Sequence, residues 1–192
     1  MTALPAAAPP PASAWIHRFA PLVPPGARVL DLACGRGRHA RHFAARGCRV
    51  VAVDRDPVAL AAMADVPAIE TRALDLEAGG WPLAGERFDA IVVVNYLHRP
   101  LFAPILAALA DDGVLLYETF ARGNEAYGRP ANPDFLLAPD ELLAVAAGRI
   151  DVVAFEQGLV AGGDRSAVVQ RLAAVGRGRP GPAPLPAPPP LP

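Results

Sequence analysis

The sequence contains no lysine; all 18 of its basic residues are arginine. That excludes Schiff-base chemistry and the phosphate-gripping lysine of a P-loop. Cysteine is scarce as well. Cys34 and Cys48 are the only two, and they supply neither a metal-ligand spacing nor a disulfide framework, so reduced thiols are expected. An excess of charge of one sign is also missing: 18 basic against 19 acidic residues leave a net −1. Such a balance exerts no overall pull towards nucleic acid or a membrane surface. No apolar run approaches the roughly 20 residues needed to span a bilayer. Residues Met1 to Ala12 lack a basic start and are broken by Pro5 and Pro9-Pro10-Pro11, so they do not read as a signal peptide. A soluble, cytoplasmic protein is expected.

What is present is apolar. At 192 residues and 53% hydrophobic composition, the chain can bury the core of one domain. Proline marks its ends. Residues 1–12 read as a disordered N-terminal segment, and Arg177 to Pro192 as a disordered, extended proline-rich tail. The domain proper is expected over residues 13–176.

Within it strand and helix signals alternate. Arg28 to Ala33 reads as a strand, followed by the glycine turn Cys34-Gly35-Arg36-Gly37. A helix over 38–46 follows, with Ala40, Phe43 and Ala44 on its apolar face, and Gly47 ends it. Arg49 to Asp54 is the second strand, and Asp56-Pro57 caps the next helix. Ile69 to Leu74 is a weaker strand. Phe88 to Asn95 is a near-continuous apolar run, the pattern of a central parallel strand covered on both faces. Leu101 to Ala110 reads as a helix, Asp111-Asp112-Gly113 as a turn, and Val114 to Glu118 as a strand. A further helix is expected over Pro139 to Ala147. Asp151 to Ala161 and Ser166 to Val175, joined through Gly162-Gly163-Asp164-Arg165, read as an antiparallel hairpin. The expected fold class is α/β: a Rossmann-like, doubly wound, mostly parallel seven-stranded sheet with one reversed strand in the C-terminal hairpin.

The most informative stretch is Val29-Leu-Asp-Leu-Ala-Cys-Gly-Arg-Gly37. A glycine turn between strand and helix lets a ligand approach the backbone and leaves N–H groups free at the helix start. Asp54 follows at the end of the next strand, where an acid can grip ribose hydroxyls. These features fit a dinucleotide site too, since Gly35-x-Gly37-x-x-Ala40 satisfies the loose glycine rule. Asp31 tells against that reading. Its charge beneath the loop suits a ligand carrying ammonium and sulfonium groups and would repel a pyrophosphate.

Val29 to Gly37 resembles the first motif of class I S-adenosylmethionine-dependent methyltransferases, and Val51-Ala-Val-Asp54 their acidic second motif. Ala73 to Glu77, Phe88 to Asn95 and Leu106 to Tyr117 resemble the later motifs in order. Within the class the chain is most similar to the small bacterial tellurite-resistance and thiopurine methyltransferases. Arg38 departs from the frequent third glycine. Asn95-Tyr96-Leu97-His98 is not the signature of amino-methylating nucleic-acid enzymes.

The resemblance implies S-adenosylmethionine as cofactor. It implies that Gly35 and Gly37 wrap the methionine moiety, that Asp31 receives its ammonium, and that Asp54 binds the ribose hydroxyls. Asp75 and Leu76 would meet the adenine, Asn95 would border the transferable methyl, and Ala33 and Arg55 would complete the pocket. The acceptor is expected to be a small molecule or ion, with no nucleic acid or membrane partner and no metal. Tyr96, His98, Glu118, Asn124, Glu125 and Tyr127 are the candidates to face it. Tyr96 reads as a pocket wall, and His98 reads equally as a loop residue capping the next helix. The long connection 121–138 reads as an acceptor-binding loop. Ser13 to Phe19 reads as a short helix closing over the cofactor. His17, His39 and His42 read as surface or helix residues, and Arg36, Arg38, Arg41, Arg46 and Arg49 as mostly a solvated face. Two other functions stay open: a nicotinamide-dependent oxidoreductase, and a non-catalytic cofactor-binding protein acting through its proline-rich tail.

Overall fold

The computed structural model describes residues 10–162 and 165–187. The expected turn at Gly163-Asp164 and the outer parts of both proline-rich ends lie outside the described residues. Seven strands form one sheet: β1 (Arg28–Leu32), β2 (Arg49–Asp54), β3 (Ile69–Ala73), β4 (Phe88–Val94), β5 (Leu109–Phe120), β6 (Ile150–Gly162) and β7 (Arg165–Gly176). Their order is β3-β2-β1-β4-β5-β7-β6. The first five run parallel, and β7 lies antiparallel between β5 and β6. This is the mostly parallel sheet with one reversed strand.

Among the described residues five short α-helices cover it: α1 (Ala14–Phe19), α2 (Arg38–Ala45), α3 (Pro57–Ala61), α4 (Phe102–Ala108) and α5 (Glu141–Ala146). Because successive strand side chains point to opposite faces, the sheet divides the apolar residues into two cores. Val29, Ala90, Val92 and Val94 pack with Trp15, Phe19 and Phe43 on one face. Leu30, Leu32, Ile91 and Val93 pack with Ile105, Leu142 and Ala146 on the other. Asp31, between Leu30 and Leu32, therefore points into the first core, where it is 1% exposed.

The elements differ from the sequence reading at their ends. The fourth helix stops at Ala108, and β5 begins at Leu109, ahead of the expected Asp111-Asp112-Gly113 turn. Leu109 pairs with Phe88, and a register shift follows before Ala90 meets Val114. The turn signal is thus absorbed as an irregularity inside a longer strand. His39 lies on the inward side of α2 with Ala40 and Phe43 and is 4% exposed, so the inward face is one residue broader than apolar character alone indicates.

Residues 177–187 carry no helix or strand. The Gly178 N–H donates to the Asp111 carbonyl at 2.7 Å, and Arg179 donates to the Leu22 carbonyl at 3.3 Å. Among the described residues no helix is long and apolar enough to cross a membrane.

Candidate active site

The carboxyl ends of β1, β2 and β4 set the site. After β1 the chain leaves through Ala33, whose φ is 55°, and two glycines with φ of 54° and 78°. That left-handed run turns the chain sharply enough for α2 to begin at Arg38. Gly37 has a second reason to be glycine, since a Cβ there would overlap the Met63 side chain. Asp54, at the end of β2, holds the turn. Its Oδ2 accepts the Gly35 N–H at 2.7 Å and its Oδ1 accepts the Asp56 N–H at 3.0 Å. Parallel pairing of β1 with β2 brings the two segments together.

Two hollows open along this edge and share Ala33. The first, about 310 Å³, is lined by Ala33, Asp54, Arg55, Leu74, Asp75, Leu76, Glu77, Tyr96 and Phe135. The second, about 400 Å³, is lined by Pro10, Ala33, Cys34, Gly35, Arg36, Arg38, His39, Val94 and Asn95. Asn95 has φ 56° and its N–H donates to the Glu118 carbonyl at 2.9 Å. The Tyr96 hydroxyl donates to Glu77 at 3.3 Å, and the Tyr117 hydroxyl donates to the Tyr96 carbonyl at 3.0 Å. Burial, with Glu77 alongside, pushes the Tyr96 phenol up. It stays protonated, as a wall residue should.

Asp31 lines neither hollow and is buried beside the start of α2. Its Oδ2 accepts the Ala40 N–H at 2.8 Å. Burial pushes its carboxyl up to about 7, against the opposing pull of that N–H and of Arg38. A carboxyl raised on folding favours the native state while protonated, so stability from this group falls as pH rises from about 4 to about 7. In denaturant titrations at pH 5 and pH 8, Asp31→Asn should lose that difference. Parallel pH dependences for the two proteins would show a carboxyl that is ionised throughout.

Burial also pushes the Cys34 thiol up, so it is no thiolate nucleophile. His39 is pushed down to about 3 by burial with Arg38 and His42 nearby. As a neutral imidazole it accepts the Ser13 N–H on Nε2 at 3.3 Å. The Ser13 hydroxyl caps α1 and donates to Glu118 at 2.9 Å.

Of the residues singled out in the sequence, Ala33, Asp54, Arg55, Asp75, Leu76 and Tyr96 meet in the first hollow, and Ala33, Gly35 and Asn95 in the second. Gly37 shapes the turn. His98, Glu118, Asn124, Glu125 and Tyr127 line neither hollow. His98 makes no capping bond to the turn it precedes. Glu118 is 8% exposed and held by Ser13 and, at 3.5 Å, by Arg171. Asn124 is 2% exposed; it donates to the Pro130 carbonyl and accepts the Val168 N–H, tying the loop 121–138 to β7. Glu125 accepts the Gly123 N–H in the same loop, and Tyr127 is half exposed.

Sequence reasoning missed Phe135 and the wall residues Pro10, Arg36, Arg38 and His39. Phe135 ends a helical turn opened by Asn132-Pro133 and fixed by Arg99, which donates to the Asp134 and Leu136 carbonyls. Its signal was one of two aromatics, the other being Tyr127, in a long loop. Among the described residues no group of three His, Cys, Asp or Glu is placed to hold a metal ion.

Residues 29–113 match the model of a methyltransferase domain family. The fold has close counterparts among solved structures. TehB from Haemophilus influenzae superposes with a TM-score of 0.72 at 19% identity, over 84% of this chain and 61% of that one. This chain thus spans about three-fifths of that relative. A TehB-like SAM-dependent methyltransferase from Corynebacterium glutamicum gives 0.62 at 21% identity, over 85% and 88%. The Burkholderia thailandensis 1,6-didemethyltoxoflavin-N1-methyltransferase, solved with that compound and S-adenosylhomocysteine, gives 0.62 at 23%, over 85% and 76%. At these identities the likeness is one of fold. No curated protein matches the sequence. The matched span runs from β1 into β5 and so contains the glycine turn, Asp54 and Asn95.

Proposed function

We propose that this protein transfers a methyl group from S-adenosylmethionine to a small-molecule or ion acceptor in a cytoplasmic setting. The observation that carries the reading is the pair of hollows joined at Ala33, with Asp54 fixed against the glycine turn between them. The first hollow suits an adenosine: Asp54 for the ribose hydroxyls, Asp75 and Leu76 for the base, and Tyr96 and Phe135 as apolar walls. The second suits the methionine end, with Asn95 beside the methyl and the buried Asp31, near the start of α2, for the ammonium. When bound, the donor supplies an activated methyl on a cationic sulfur. The protein's own task is then to hold the acceptor in line and exclude water, which accounts for much of the rate in a displacement of this kind.

Two observations favour this over nicotinamide chemistry. The Gly35 N–H, which a diphosphate would need, is engaged by Asp54. The walls of the first hollow carry three acids, Asp54, Asp75 and Glu77, against Arg55, and a diphosphate would be repelled there. The loop 121–138 borders the mouth through Phe135, so we place the acceptor between this loop and Asn95. Calorimetry tests the reading: S-adenosylhomocysteine should bind with micromolar affinity or better and NADH should not bind detectably. Comparable or tighter NADH binding would overturn it. A screen of candidate acceptors, followed by S-adenosylhomocysteine release, then identifies what is methylated.

A further inference from the structure

Phe135 is 50% exposed, whereas Leu136 and Leu137 after it are 1% and 0% exposed. Its ring lines the first hollow with Tyr96, although it comes from the loop 121–138 and lies beyond the matched span 29–113. Leaving so much apolar surface in water is unfavourable, and a loop free to move would turn the ring inward. This loop is not free. Arg99, just past Tyr96 at the exit of β4, donates through Nη1 to the Asp134 carbonyl at 2.8 Å and through Nη2 to the Leu136 carbonyl at 2.9 Å. It thus grips the backbone on either side of Phe135. The same guanidinium meets Glu141, at the start of α5, through Nε at 2.7 Å and Nη2 at 3.0 Å. Glu141 in turn accepts the Ala138 N–H at 2.8 Å. The Phe135 and Leu136 N–H groups donate to the Asn132 and Pro133 carbonyls, both at 3.0 Å. A planar fork of donors can span two carbonyls and a carboxylate at once, which an ammonium cannot do.

We propose that Arg99 is a positioning residue: it clamps the loop between the exit of β4 and α5 and so holds Phe135 as the outer wall of the first hollow, where the ring packs on a planar ligand. The inference rests on the donor reading only for the identity of that ligand, the nucleoside end of the donor. Arg99 lines neither hollow and acts through Phe135. The clamp also joins a wall of the donor hollow to the loop beside which we place the acceptor. The two sites therefore share one fixed element before either ligand arrives.

The test is calorimetry on the full-length native protein, R99Q, F135A and the double variant R99Q/F135A, with thermal melting to check that each is folded. S-adenosylhomocysteine and 5′-methylthioadenosine, which shares its nucleoside end, are titrated separately. F135A should lose roughly tenfold in affinity for both, the loss of one base-to-ring stack. R99Q should lose most of the same factor in the native background and nothing further in F135A, because a clamp with no ring to hold cannot act on the ligand. A merely stabilising ion pair would instead lower the melting temperature in both backgrounds and leave affinity untouched. R99K, which keeps the charge opposite Glu141 but not the fork, should regain stability without regaining affinity. Additive losses, or native affinity in either R99Q or F135A, would overturn the proposal. Failure of the native protein to bind either nucleoside would count against the donor reading, and amide exchange of the unliganded proteins then decides the clamp. Faster exchange at Phe135 and Leu136 in R99Q upholds it; equal exchange overturns it.

Discussion

Replacing Gly37 with alanine should destabilise the protein by roughly 2–5 kcal/mol, the largest effect expected of any single methyl group at the site. Two independent penalties add. The residue sits at φ 78°, where an L side chain meets the carbonyl at about 1–2 kcal/mol. The added Cβ would also lie 2.6 Å from the Met63 Cγ and nearer still to its sulfur. Met63 is fully buried, so it must shift within a packed core, and overpacking typically costs about 1–3 kcal/mol. Gly35 provides the internal comparison. Its φ is 54°, yet a Cβ there would meet nothing within 4 Å, so Gly35→Ala should carry only the backbone penalty. Chemical denaturation of the two variants measures the difference directly. Equal losses would mean that Met63 moves aside freely.

Asp54→Ala should weaken S-adenosylhomocysteine binding by roughly ten- to a hundredfold, about 1.4–3 kcal/mol. The substitution removes a charged acceptor from the first hollow. It also frees the N–H groups of Gly35 and Asp56, which the carboxylate now ties to one another. The turn between β1 and α2 should loosen at the point where both hollows meet. Asp54→Asn separates these effects, because an amide oxygen can still accept from Gly35. It should keep most of the thermal stability while losing part of the affinity. Calorimetry at fixed salt gives the affinities. Native affinity in the alanine variant would show that the acid serves the turn alone.

The sheet was legible because its strands are short apolar runs ended by glycine, proline or an acid. The near-continuous apolar run of Val29 to Leu32, broken by one acid, announces a strand buried on both faces. The final hairpin announces itself by two long runs either side of a glycine pair. The start of β5 was not legible, because Leu109 joins the sheet through a register shift with Phe88, and pairing between distant segments leaves no local pattern. The inward turn of His39 was hidden for a related reason. Polar residues at the margin of a helical stripe are buried or exposed according to what packs on them, here Ser13 of a segment 26 residues away. In the same way nothing in the composition of the loop 121–138 separates Asn124, which is buried and bonded to Pro130 and to β7, from Phe135, which reaches the hollow. Glycines and acids of the site could be read from spacing. Residues that merely come to stand beside them could not.

The order of the strands bears on how the chain is made. β7, the last strand, separates β5 from β6, and Trp15 in the first helix donates its indole N–H to the Leu172 carbonyl on that strand, 157 residues away. A contact of that span closes late, because loop-closure entropy must be met before the contact contributes. While the nascent chain emerges at about 5–20 residues per second, β1 to β5 can assemble with the edge of β5 bare and the first helix without its seat. Only when the hairpin clears the ribosome can the sheet fill and the helix dock. The Trp15 indole should therefore report the docking of the first helix, its fluorescence changing only after the segment carrying Leu172 has left the exit tunnel.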